Sequence, residues 1–171
     1  ILIVKLDSNG AFQWAKNYGG KRTDDAKNID INANGDLFIS GTFSDTAFNI
    51  PNMLVANTGN GGKDIFFAKL NNVGDIQWVK QINTSYAEAI NYLKIDLNDN
   101  VYVCGYFRGN ALFSSSLNAA TYSSTDYNDM YVAKYNNVGD LIWVNQFEGR
   151  ANCSATSLDI NTIGEIYTVG V

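Results

Sequence analysis

The chain has no histidine, one proline and two cysteines in 171 residues. Without imidazole, His-ligated metal centres, Ser-His-Asp triads and histidine acid–base chemistry are excluded. Cys104 and Cys153 build neither a disulfide framework nor a four-thiolate zinc site. The expectation is two partly buried thiols, with a single disulfide as the other reading. Cations are scarce: 12 Lys and Arg against 17 Asp and Glu, a net charge of −5. Nucleic-acid phosphate and anionic lipid both require excess cation, which argues against either partner. No apolar run approaches the ~20 residues of a membrane-spanning helix. A composition of 46% hydrophobic and 17% charged residues is that of a globular chain of about one domain. The opening Ile1-Leu2-Ile3-Val4 carries no initiator Met or basic leader, and Tyr167–Val171 reads as mid-strand, so both ends are expected to be cut from something longer.

What the chain does have is repetition. Trp14, Trp78 and Trp143 recur at spacings of 64 and 65 residues, and so do Lys5, Lys69 and Lys134. Gly10, Gly74 and Gly139 share that period, as do Gly41, Gly105 and Gly170. Four landmarks in one period define three units, 1–64, 65–129 and an incomplete 130–171. Each unit carries four strand signals. In the second they are Ile65–Leu70, Asp75–Ile82 with Trp78, Tyr92–Leu97 with period-two alternation, and Val101–Phe107. Turns at Asn71-Asn72-Val73-Gly74 and Asn98-Asp99-Asn100 join them in pairs.

Four antiparallel strands per repeat predict an all-β fold, a β-propeller of which about three blades are present, with almost no helix. A four-stranded sheet with two apolar faces must stack on a neighbour at each side. Trp14, Trp78 and Trp143 are therefore read as anchors between blades, because a large ring covers much apolar area. Three blades are too few to close a ring, so missing blades or other chains are expected to complete it.

These residues resemble the bacterial SBBP-type β-propeller repeat. The likeness is carried by Ile65-Phe66-Phe67-Ala68-Lys69-Leu70-Asn71, then Gly74-Asp75-Ile76-Gln77-Trp78-Val79-Lys80, then Asn100-Val101-Tyr102-Val103-Cys104-Gly105-Tyr106-Phe107. Val4-Lys5-Leu6-Asp7, Trp14-Ala15-Lys16 and Gly41-Thr42-Phe43 match in the first unit. The second and third units depart from the pattern after their second strand, with Asn83-Thr84 and Glu148-Gly149 in place of Gly19-Gly20. The resemblance implies a module of a large secreted or surface-exposed protein, in some relatives exported by type IX secretion. It implies interaction or adhesion without a cofactor or shared catalytic residues, a protein or glycan partner, and an extracellular or outer-membrane setting in a Gram-negative bacterium.

Alternating strands put short turns on one face and long connections on the other. With the first strand of each unit on the central axis, the long connections are Tyr18–Lys27, Ser44–Lys63, Asn83–Ile90, Arg108–Asn128 and Phe147–Ala155. Binding residues concentrate in long loops, so this face is the expected site. Its candidates are Arg22, Asp24, Asp25, Tyr86, Glu88, Tyr127, Arg150 and Asn152. Asp126 lies in the same region. Asp64 and Asp129, at one repeat position, are read as turn-ending residues bonded to nearby backbone amides rather than as calcium ligands. Lys5, Lys69 and Lys134 are read as structural, with a cationic channel lining as the functional alternative. No catalytic constellation stands out. The expected function is non-enzymatic surface binding. A structural spacer in a large assembly is the alternative, followed by a quinoprotein-like or hydrolytic propeller suggested by Gly10–Trp14, Gly74–Trp78 and Gly139–Trp143.

Overall fold

A computed structural model describes residues 1–44, 63–86 and 88–171. Most of the Ser44–Lys63 connection lies outside the described residues. Twelve strands form and no helix does among the described residues: β1 (Leu2–Leu6), β2 (Phe12–Asn17), β3 (Asp25–Ile31), β4 (Leu37–Phe43), β5 (Asp64–Leu70), β6 (Ile76–Thr84), β7 (Glu88–Ile95), β8 (Val101–Ser114), β9 (Ala119–Tyr135), β10 (Leu141–Phe147), β11 (Ala155–Ile160) and β12 (Ile166–Gly170).

Pairing is antiparallel throughout, and its grouping is offset by half a repeat from the sequence period. One eight-stranded sheet falls into two four-stranded parts, β3-β4-β5-β6 and β7-β8-β9-β10, joined by a short pairing of β6 with β8. β1-β2 and β11-β12 are two-stranded. Each four-stranded sheet thus takes the third and fourth strands of one unit and the first and second of the next. Ser40↔Phe67 and Cys104↔Val132 are the joins between units. Apolar side chains fill the three gaps between sheets. Ile3, Ile39, Phe66 and Leu70 fill the first, Phe38, Phe67, Leu93, Tyr131 and Tyr135 the second, and Tyr102, Cys104, Val132 and Leu158 the third. The architecture is that of a partial β-propeller.

Six hairpin turns repeat one piece of chemistry. Asp7, Asn32, Asn71, Asp96, Asn136 and Asn161 each accept, through a side-chain oxygen, the backbone N–H groups two and four residues on. The fourth residue of each turn donates its N–H to the carbonyl of the first. That geometry needs positive φ, which glycine supplies in five turns and Asp99, at φ 60°, in the sixth.

The tryptophans lie at equivalent places. Trp14 packs beside Gly74 of the next sheet's turn, Trp78 donates through Nε1 to the Asn137 carbonyl at 3.1 Å, and Trp143 stacks edge-on to Tyr102 with centroids 6.2 Å apart. The axial strand is not the one expected. β3, β7 and β11, the third strand of each sequence unit, pack against one another in succession. β5 and β9 are third in their sheets, because pairing begins half a repeat later. Lys69 and Lys134 therefore stand away from the axis.

Arg108–Asn128, expected as a long loop, is largely a β-hairpin. β8 continues to Ser114 and β9 begins at Ala119. The register breaks between Phe107 and Gly109, and the chain turns back so that Ala111–Phe113 run antiparallel to Ile82–Thr84 of β6. Phe113 is buried against Phe107, Tyr122 and Tyr131. At the tip, Asn118 Nδ2 donates to the Leu141 carbonyl at 3.0 Å. The hairpin both fills the gap between the four-stranded sheets and covers part of the outer edge of β6.

Candidate functional site

The inner hairpins β3–β4, β7–β8 and β11–β12 turn at the same end of the molecule. Their turns surround an open cleft of about 820 Å³. Its wall is knit together by polar ties across the sheets. Asp30 Oδ2 accepts the Ile95 N–H at 3.0 Å, and Asn32 Nδ2 donates to Asp99 Oδ2 at 2.7 Å. Lys94 Nζ lies 3.8 Å from Asp159.

Behind the wall, Lys69 Nζ stands 3.2 Å from Asp36 and 4.0 Å from Asp99, and 5.2 Å above the Phe38 ring. Lys134 repeats the arrangement, 3.9 Å from Asp96 and 4.9 Å from the Tyr102 ring centre. Lys5, at the same repeat position, donates to the Asn72 carbonyl at 3.3 Å. Burial on its own would raise the Asp96 carboxyl. Bonds from the Asn100 side chain, the Asn100 and Asn98 amides and the Tyr102 hydroxyl outweigh it and hold Asp96 below the usual carboxylate range. The carboxylates thus hold the cleft in shape. The cleft lining holds Lys94, Lys134 and Tyr102 as well as the polar Asn34, Asn98 and Thr162 and the aliphatic Ile31, Leu97 and Ile163. Leu97 is 90% exposed and Ile163 78% exposed. Val73 and Val138 are exposed on further turns of this face. Turn chemistry asks for none of these aliphatic side chains.

On the opposite, long-loop face the expected residues are spread over several connections. Arg22 and Arg150 are exposed. Asp24 closes its own loop, accepting the Gly20 N–H at 2.7 Å and the Ser44 N–H at 3.3 Å. Asp25 pairs with Lys63, which holds its carboxyl below the ordinary value. Tyr86 is exposed and packs beside Gly109 at the hairpin root. Tyr127 is exposed, and its carbonyl accepts the Ser124 hydroxyl. Asn152 Oδ1 accepts the Asn128 N–H at 2.9 Å, tying two loops. Asp64 and Asp129 are buried, and each accepts a glutamine amide, Gln81 at 2.9 Å and Gln146 at 2.6 Å. Cys104 is buried, which pushes its thiol up to about 12, and it is not paired with half-buried Cys153.

Glu88 is the acid of this face whose carboxyl is raised. Burial raises its carboxyl to about 7; the Thr84 hydroxyl bond opposes the rise and the Asp64 charge adds to it. A folded-state value above the unfolded 4.5 means that the unfolded chain loses its proton first as pH rises. Stability should therefore fall from about pH 4.5 to about pH 7 and level off above. Because the side chain is only half-buried, the expected loss is about 1–2 kcal/mol. Urea unfolding of the native chain between pH 5 and 8 should show this slope, and Glu88→Gln should remove it. An equal slope in the variant would assign the effect to other groups.

The chain is 29% identical over 157 residues to an uncharacterised WD repeat-containing protein of Acanthamoeba polyphaga mimivirus. The match takes in 84% of this chain and 11% of that relative's length. The likeness agrees with the propeller-like repeat. No family profile matches the chain.

Proposed function

We infer that the chain is a non-enzymatic binding module that takes an extended segment of a protein partner into the cleft on its turn face. One observation carries this reading: a polar-walled cleft of about 820 Å³ rimmed by exposed Leu97 and Ile163. A rigid wall with aliphatic knobs and free side-chain amides suits a peptide, whose apolar side chains fill the pockets while its backbone bonds to the amides. The resemblance to SBBP-type repeats adds a setting, the extracellular or outer-membrane surface of a Gram-negative bacterium, with adhesion to protein or glycan as the role. A structural spacer within a larger assembly would use the same face for packing.

A random dodecapeptide display library selected on the 171-residue chain tests the reading. Selected peptides should lose at least tenfold in affinity to Leu97→Asp and to Ile163→Asp, and bind Tyr86→Ala and Arg150→Ala unchanged. The opposite pattern would move the site to the long-loop face. Failure to select any peptide would overturn peptide recognition.

A further inference from the structure

The β8–β9 hairpin holds the outer edge of β6 by a short join. Ile82, Asn83 and Thr84 face Phe113, Leu112 and Ala111, and the Ser85 N–H donates to the Asn110 carbonyl at 3.0 Å. The root of the hairpin is a hinge. The β8–β9 register breaks between Phe107 and Gly109, where Gly109 takes a φ of 77°. The neighbouring pairings are longer: β5 holds β6 from Ile65 to Leu70, and β7 holds β8 from Glu88 to Ile95.

Glu88 lies between the hinge and the join. It opens β7, faces Phe107 across β7 and β8, and accepts the Thr84 hydroxyl through Oε2. Phe107 and Thr84 are both buried. The groups packed around this carboxyl favour its neutral form. From β5, buried Asp64 acts on it as a like charge. From β9, fully buried Tyr131 donates its hydroxyl to the Ala89 carbonyl at 3.2 Å. From β8, Phe107 is apolar, and Arg108 beyond it is exposed. The Thr84 hydroxyl is the bond that favours the ion. Asp24, at the same place one repeat earlier, is the contrast: the Gly20 and Ser44 N–H groups both bond its carboxylate. An ionised Glu88 therefore needs water, and the element that yields to water first is the one held by the shortest pairing.

We propose that the β8–β9 hairpin is a pH-governed strap: protonated Glu88 keeps its root closed on β6, and loss of that proton lets the join of Ala111–Phe113 with Ile82–Thr84 open locally while the two four-stranded sheets stay folded. The open form uncovers the β6 edge and admits water to Phe113. The sign follows from the raised carboxyl. In the closed form it titrates at about 7 and in the open, solvated form at the ordinary 4.5, so opening becomes easier from about pH 4.5 to about pH 7 and is constant above. The strap does not depend on what the cleft binds.

Native-state hydrogen exchange of the 171-residue chain, corrected for the intrinsic pH dependence of exchange, reads this opening residue by residue. Protection of the Ser85 amide should fall about tenfold or more between about pH 5 and about pH 7.5, and at the higher pH should lie well below that of Val103 in the centre of β8. The Gly35 amide, which bonds the Asn32 carbonyl in a turn at the other end of the molecule, should keep its protection. In Glu88→Gln, Ser85 should stay protected at both pH values. Thr84→Val removes the bond that favours the ion, so the fall should continue to higher pH before it levels. A Ser85 protection independent of pH, an equal fall in Glu88→Gln, or a Thr84→Val profile that levels where the native one does would each overturn the proposal. So would a Ser85 amide as protected as Val103 at the higher pH, because the hairpin would then leave β6 only when the whole chain unfolds.

Discussion

Replacing Gly105 with alanine is expected to destabilise the chain by about 3 kcal/mol or more, enough to leave much of it unfolded at moderate temperature. The reason is a backbone approach. Gly105 faces Ile90 across β7 and β8 where the register shifts between Ile90 and Tyr92. The shift pushes the Ala89 carbonyl toward Gly105, and a Cβ there would overlap the oxygen and lie 2.9 Å from the carbonyl carbon. No side-chain rotation relieves a clash with main chain. The strands must separate, and with them goes the pairing that holds the axial strand β7 on the second sheet. Gly41 repeats the geometry against the Asp25 carbonyl, where the Phe66 ring also comes within 2.9 Å, so Gly41→Ala should behave alike. Gly10→Ala is the contrast. Nothing lies within 4 Å of the Cβ site, so only the positive φ of 81° is strained, and a loss of about 1 kcal/mol is expected. Urea denaturation of the three variants checks the order. A Gly105→Ala chain as stable as Gly10→Ala would mean that the bulge is not there.

Phe67→Ala should have a comparable effect, about 3–5 kcal/mol, through a cavity rather than a clash. Phe67 is fully buried on β5, with the Trp78 ring centre 5.9 Å away in its own sheet and that of Tyr135 4.5 Å away on β9 of the next. Truncation removes one of the contacts that join the two four-stranded sheets. Rigid strands on both sides leave little room for collapse into the void. The variant should therefore lose cooperativity as well as midpoint, with a lower denaturant slope than the native chain. Val73→Ser, on an exposed turn of the same sheet, should stay within about 0.5 kcal/mol. A Phe67→Ala loss of that small size would contradict the packing of the two sheets on each other.

The period was legible because each landmark residue has one repeated physical job. Glycine recurs where a carbonyl crowds the strand or φ is positive, tryptophan where a second strand meets the next sheet, and lysine, at Lys69 and Lys134, where a carboxylate and a ring wait. The grouping of strands was not legible. Whether Ser40 pairs with Phe67 across a long connection is decided by which faces stack, and no local pattern states it. The hairpin within Arg108–Asn128 was hidden by its Gly, Asn and Ser content. The strand signal there is the apolar run Ala111-Leu112-Phe113, and it is short. The cleft was invisible for a related reason. Its lining comes from turns about one repeat apart, and the residues that shape it, Asp96 and Asp99, read individually as ordinary turn formers. Candidates chosen from long loops were real surface residues, but Asp24, Asp25 and Asn152 are held by local bonds that only coordinates reveal.

Strand grouping is the feature on which the stacked sheets and the cleft both depend, and cross-strand NMR contacts report it directly. Pairing across units requires contacts between Ser40 and Phe67 and between Cys104 and Val132, with none along the lengths of β6 and β7. Contacts between Val79 or Lys80 of β6 and Leu93 or Lys94 of β7, with the two cross-unit contacts missing, would show that each sequence unit folds as its own sheet and would contradict the architecture described here.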